Sequence, residues 1–232
     1  MPTPESLFHK QLILCPRCGS EENATLWDIV NAQSDPDLKE RLLRKVLQSH
    51  ECANCGEVFV LAEPMAYHDP DRRLLIAVLP VVAQDDRRDK APLPPDPLVA
   101  GRMALAALGH EPDVAEGYTL RLVTDYNHLI EKIHLADHGR SDRVIEVLKV
   151  AVRRNPSPGA PASGIEEMLY LTERDGVLLF MIRDGEGAWL QMELDDAIYD
   201  NIEHVMGETL RDDGEWAVID TAYAVEVINS QA

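Results

Sequence analysis

Only four cysteines stand in this 232-residue chain, and they form two pairs, Cys15-Pro16-Arg17-Cys18 and Cys52-Ala53-Asn54-Cys55. Two residues between paired cysteines let one tight turn offer two thiolates to a single ion. A glycine follows each pair, Gly19 and Gly56. Glycine tolerates positive φ, which turns backbone N–H groups toward the sulfurs and stabilises the thiolates. The pattern predicts one tetrahedral site in which Cys15, Cys18, Cys52 and Cys55 hold one structural Zn2+. Four thiolates fill the tetrahedron and leave no position for water or substrate. Iron in a rubredoxin-like site has the same ligand set, and a redox dithiol is the remaining reading.

The 33 residues between Cys18 and Cys52 exceed the spacing of compact zinc ribbons. A helix accounts for the excess. Asp35 can cap it, Pro36 suits its first turn, and Asp37 and Glu40 favour the positive end of its dipole. Leu38, Leu42, Leu43, Val46 and Leu47 fall on one face at helical spacing. The expectation is a zinc ribbon with a helix lodged between its two knuckles.

Further along, strands are expected at Glu57–Leu61 and Leu74–Val82, then helices near Leu98–Leu108, Tyr126–Ala136 and Ser141–Arg153. Strands follow at Met168–Thr172, Val177–Ile182 and Ala188–Glu193, with turns at Asp175-Gly176 and Asp184-Gly185. A helix over Asp196–Thr209 and a strand at Trp216–Ile219 complete an α+β chain, not a doubly wound sheet. Gln84–Pro97 and Asn155–Gly164, rich in proline and glycine, read as linkers. They divide the chain into residues 1–154 and an acidic antiparallel α+β module at 165–232. The first part comprises a ribbon at about 1–83, a Pro-rich linker at 84–97 and a helical segment at 98–154.

Charge narrows the range of partners. Of a net −19, residues 155–232 carry 17 acidic and 3 basic side chains, a local −14 that repels phosphate. No stretch approaches the roughly 18 unbroken apolar residues of a membrane helix, and no secretory leader is visible. A cytoplasmic location is expected, where Cys-x-x-Cys pairs serve metals before disulfides.

Cys15-Pro16-Arg17-Cys18, Val30-Asn31, Ser34–Leu47, Cys52–Gly56 and Tyr67-His68-Asp69-Pro70 together resemble the CpXC family of bacterial and archaeal proteins. A looser likeness continues through Asn127–Lys132 and Asp142–Lys149, so the resemblance covers roughly residues 10–150. Ala53 stands where a proline is usual, which leaves the ligands intact. The family has no established activity; the resemblance implies an architecture and a zinc site, and no reaction.

Three weaker patterns accompany the cysteines. His68 beside Asp69 could serve as an acid–base pair, but Asp-Pro also starts turns and Tyr-His packs well beneath them. Glu131, His134 and His138 share a helix face, yet Leu135 occupies the place where a zinc peptidase needs glutamate. His138 before Gly139 suits a helix end, where a cation favours the dipole. Arg41, Arg44 and Lys45 could meet phosphate together with Arg72-Arg73, although no interleaved aromatics offer base stacking. The function expected is protein–protein interaction on a zinc-stiffened platform. An enzyme using His68 and Asp69 is the alternative, and nucleic-acid binding through the inserted helix ranks third.

Overall fold

The computed structural model describes residues 5–80, 99, 117–156 and 160–231. Apart from Val99, the expected Gln84–Pro97 linker and Leu98–Leu108 helix lie outside them. The chain is α+β, as its pattern predicts, and it divides into two compact units. The first comprises residues 1–126 and 214–217; the second comprises 127–213 and 218–232. This differs from the expected division, because residues 155–164 do not separate the units.

The first unit begins with a long hairpin, β1 (Leu7–Leu14) and β2 (Glu21–Asn31), whose turn carries the first cysteine pair. α1 (Pro36–Leu43) follows with Pro36 in its first turn. A second, short hairpin of β3 (Ser49–Glu51) and β4 (Val58–Val60) carries the other pair. β5 (Met65–Asp69) and β6 (Leu74–Val78) form a third hairpin, and β7 (Thr119–Val123) lies parallel to β6. The order β1-β2-β5-β6-β7 makes one mixed sheet, with β2 parallel to β5 over Ile29–Asn31 and Ala66–His68. β5 and β6 are buried at every position, consistent with their central place and continuous apolar sequence.

Two details of α1 differ from expectation. The Asp35 side chain makes no cap bond to the helix; it accepts instead from the Ser6 N–H and the Ser34 hydroxyl. Helix α1 also stops at Leu43, and Lys45 takes φ +59°, so Val46 leaves the apolar face and is exposed while Leu47 stays buried.

The second unit opens with α2 (Tyr126–Asp137, its first residue counted with the other unit) and α3 (Asp142–Arg154). The Ser141 hydroxyl accepts from the Val144 N–H and caps α3. An antiparallel sheet of β8 (Ile165–Arg174), β9 (Val177–Asp184) and β10 (Trp189–Asp195) follows in the order β10-β9-β8. Asp175 and Gly176 both take positive φ, +53° and +78°, the backbone that a two-residue hairpin turn needs. The next turn is longer than expected: it spans residues 185–187, with Gly187 rather than Gly185 at positive φ. α4 (Ala197–Met206) and α5 (Thr221–Ser230) complete the unit.

Val144, Ile145 and Leu148 of α3 pack in one core with Met168, Tyr170 and Phe180 of the sheet. Here lies the physical reason for the displaced boundary. The apolar stripe of α3 needs a surface to cover it, and β8 and β9 supply that surface across the supposed linker. The expected strand at Trp216–Ile219 reduces to a single parallel bridge, Ala217 with Arg121, at the edge of β7. The sequence reading assigns no element to α5. Its AVEVI stretch alternates like a strand, but Asp220 accepts from the Tyr223 N–H and starts a helix. Among the described residues, no helix is long and apolar enough to cross a membrane.

Candidate metal centre

Both cysteine turns have one backbone design. In the first, the Cys15 N–H bonds the Ser20 carbonyl and the Gly19 N–H bonds the Cys15 carbonyl, at 3.0 and 2.9 Å. In the second, the Cys52 N–H bonds the Glu57 carbonyl and the Gly56 N–H bonds the Cys52 carbonyl, both at 2.8 Å. Gly19 and Gly56 take φ +70° and +71°, the left-handed conformation their sequence positions suggest. Each turn thereby aims the N–H two residues beyond its second cysteine, Ser20 or Glu57, at that sulfur.

The structure brings all four sulfurs together within 4.8 Å of one another. Cys15 Sγ lies 3.7 Å from Cys55 Sγ, and Cys18 Sγ lies 3.6 Å from Cys52 Sγ. Sulfurs bound tetrahedrally at ~2.3 Å stand about 3.8 Å apart, so the observed spacing fits one ion. Hydrogen-bond donors surround the cluster. Asn54 Nδ2 donates to Cys18 Sγ, and the Ser20 hydroxyl lies 3.3 Å from both Cys18 and Cys52. The Ser20 and Asn54 side chains pull the Cys18 thiol down to about 5. Cys55 moves the other way. The Glu57 N–H favours its thiolate, but desolvation and the three neighbouring sulfurs push the thiol up to about 12. Four sulfurs this close cannot all ionise without a cation among them, so an ion entering the cluster would displace protons.

A carboxylate that sequence reasoning missed clamps the centre. Glu22 accepts from His50 Nε2 at 2.7 Å and from the Ala53 N–H at 3.0 Å, and it holds the Ser20 hydroxyl at 3.2 Å. Contact with the Cys52 thiol, then with His50, brings its carboxyl down to about 2. One side chain from β2 thus fastens the second hairpin to the first. Strand alternation could have revealed it: Leu26 and Ala24 face inward on β2, and Glu22 is the next residue on that face.

The other sequence candidates do not converge on a second centre. His68 and Asp69 leave β5 on opposite faces. Asp69 accepts from the Tyr67 hydroxyl at 3.1 Å and pairs with Lys39 and Arg72, each at 3.5 Å. It also takes the Arg72 N–H, which closes the turn that Pro70 begins. His68 Nε2 meets the Tyr118 hydroxyl at 3.1 Å, and burial holds the imidazole below its usual pKa. A carboxylate engaged in this way does not orient the imidazole for proton transfer.

His138 bonds the His134 carbonyl through Nδ1 and Thr172 through Nε2, which satisfies it at the end of α2. Glu131 is buried elsewhere, beneath Lys149 and the Tyr170 N–H. Arg41, Arg44 and Lys45 lie exposed at the end of α1, with Arg44 paired to Glu40.

His68 carries a test of its packing. The His68→Gln variant is expected to lose about 1 kcal/mol of stability at pH 7 through the altered Tyr118 bond. The folded pKa lies below the unfolded value, so the wild type loses stability as pH falls below about 6.5 and the variant lacks this loss. Urea titrations at pH 7.5 and 5.5 should therefore show a smaller difference between the two proteins at the lower pH. A cellular null phenotype from a stable, metal-replete variant would point to chemistry instead.

The profile of the family described as CpXC protein matches residues 13–149. No curated protein matches the chain, and no solved structure does. The match takes in both cysteine turns, the inserted helix and the Tyr67–Pro70 stretch, and it covers more than half of the 232 residues. The chain belongs to the CpXC family.

Proposed function

We propose that this is an interaction protein stiffened by one structural zinc ion, held by Cys15, Cys18, Cys52 and Cys55 in a helix-inserted zinc ribbon. The observation that carries the metal reading is the closed four-sulfur cluster with spacings of 3.6 and 3.7 Å and its own hydrogen-bond donors. Soft thiolates in a tetrahedron suit zinc, and iron remains the competing ion for the same ligands. With four protein ligands the ion offers no open position, so its role is to hold the two hairpins together.

The interaction reading rests on surface character. Phe8, Leu12 and Leu14 lie exposed on the edge strand β1, and the C-terminal third concentrates acidic charge. That charge opposes nucleic acid, and a protein partner in a reducing, cytoplasmic setting suits four cysteines that form no disulfide. The enzyme reading loses support because Asp69 serves Tyr67, Lys39 and Arg72.

The purified protein is expected to contain one zinc per chain, with four sulfurs at ~2.3 Å in X-ray absorption. Elemental analysis without a stoichiometric metal, or a Cys15–Cys18 disulfide under reducing conditions, would refute the metal reading.

A further inference from the structure

The two edges of the C-terminal sheet differ in construction. β8 departs from regular register twice, between Ile165 and Glu167 and between Tyr170 and Thr172. Bulges of this kind twist an edge away from further pairing. β10 has none: all seven of its residues, Trp189–Asp195, run in unbroken register with β9. It also lacks the lysine or proline that commonly blunts an edge.

The direction of its free groups follows from the ends of the ladder. The Asp184 N–H bonds the Ala188 carbonyl, and the Asp196 N–H bonds the Gly176 carbonyl. Bonded pairs alternate in an antiparallel ladder, so Leu190, Met192 and Leu194 turn their backbone groups toward β9. Trp189, Gln191 and Glu193 present theirs at the open edge.

Side chains along this edge combine apolar area with one sign of charge. Trp189 and Leu190 are 46% and 44% exposed, and Ile198 of the following helix is 39% exposed. Residues 189–206 hold five carboxylates (Glu193, Asp195, Asp196, Asp200 and Glu203) and neither lysine nor arginine; Arg140 pairs with Asp196 and Asp200 at 3.7 and 3.6 Å, so the strand's own charge rests on Glu193 and Asp195. Pairing with a second β10 would bring Glu193 and Asp195 of two copies close together, which like charge opposes.

We propose that the β10 edge binds an extended, basic segment of a partner protein by strand addition. Main-chain bonds go to Trp189, Gln191 and Glu193. Lysine or arginine on the partner lies opposite Glu193 and Asp195, and apolar residues at the alternate positions cover Leu190. The inference rests on the interaction reading and gives it a location and a partner chemistry.

The zinc-loaded full-length protein is titrated against a labelled ten-residue peptide alternating lysine with valine, followed by anisotropy at physiological salt. Two variants accompany it: Gln191→Pro removes an outward N–H without touching the β9 ladder, and Glu193→Lys with Asp195→Lys reverses the charge. Saturable binding is expected, weakened about tenfold or more by either variant, with new hydrogen-exchange protection at Gln191 and Glu193. A peptide with the same composition but its lysines clustered should bind less well.

Equal binding of the clustered peptide, binding insensitive to the variants, or no binding overturns the proposal. A dimer in sedimentation that Gln191→Pro dissolves overturns it too, by assigning the edge to a second copy. Cross-linked capture from cells separates the two levels. Capture that survives in both variants removes the edge and leaves the interaction reading; no captured protein even with the wild type removes that reading as well.

Discussion

Cys52→Ser is expected to release the metal and unfold both cysteine hairpins. Structural zinc contributes on the order of 10 kcal/mol to the folding of small metal-dependent domains. The first unit has little to replace it near the cluster: β3 and β4 are three residues each, and Val58 and Val60 are exposed. Without the ion, desolvation and mutual repulsion return the sulfurs to thiols, and the ties left between the hairpins include Glu22, the exposed Arg17–Glu57 pair and the Asn54–Cys18 contact. Hydrogen exchange should show protection lost around residues 10–25 and 48–60. The core formed by α3 with β8 and β9 should keep its protection, because its apolar contacts close within the second unit. A parallel collapse of both would show that the metal governs the whole chain.

Lys149→Met is expected to destabilise the second unit by about 3–5 kcal/mol, because breaking a buried ion pair strands its partners. Lys149 Nζ lies 2.7 Å from Glu131 and 2.7 Å from Glu146, and all three side chains are at most 5% exposed. Burial opposes the ammonium charge, and the two carboxylates more than offset it, so the Lys149 pKa is raised. Methionine fills similar volume but leaves two buried carboxylates. Among the described residues, only Glu146 of the two has another cation within reach, Lys132 at 3.9 Å. Adding Glu131→Gln should recover most of the loss, since the amide oxygen still accepts the Tyr170 N–H that Glu131 accepts at 2.6 Å. Chemical denaturation of the single and double variants measures both effects. A single variant as stable as the wild type would mean that water reaches the cluster.

Much of this structure was legible where local chemistry alone decides the outcome. The cysteine spacing and following glycines gave two matching turns, the helix expected from Ser141 starts there, and Asp175-Gly176 turned the C-terminal hairpin. Reading failed where the deciding contact is distant in sequence. Nothing near Asn155–Gly164 discloses that α3 needs β8 and β9, because breaker-rich segments join elements within one core as readily as they join two. Glu22 gains its meaning from His50 and Ala53, about thirty positions later. The 221–230 segment has a strand-like pattern, and the Asp220 cap decides for a helix. Val46 had the right spacing for the buried face of α1, but the left-handed turn at Lys45 removed it from the helix.

The four residues Gly214–Ala217 give the chain an interleaved order. After completing most of the second unit it returns to the first, where the Leu122 N–H bonds the Ala217 carbonyl and the Ala217 N–H bonds the Leu120 carbonyl. It then leaves again for α5. The family match ends at residue 149, inside α3, before the strands that bury this helix and before the residues that line β7. An ancestral or engineered fragment cut to the matched stretch would inherit the four clustered cysteines but forfeit the backbone partners of Leu120 and Leu122. The boundaries of shared ancestry and of physical self-sufficiency therefore fall at different places in this chain, and inheritance of the motif does not guarantee inheritance of an independently folding piece.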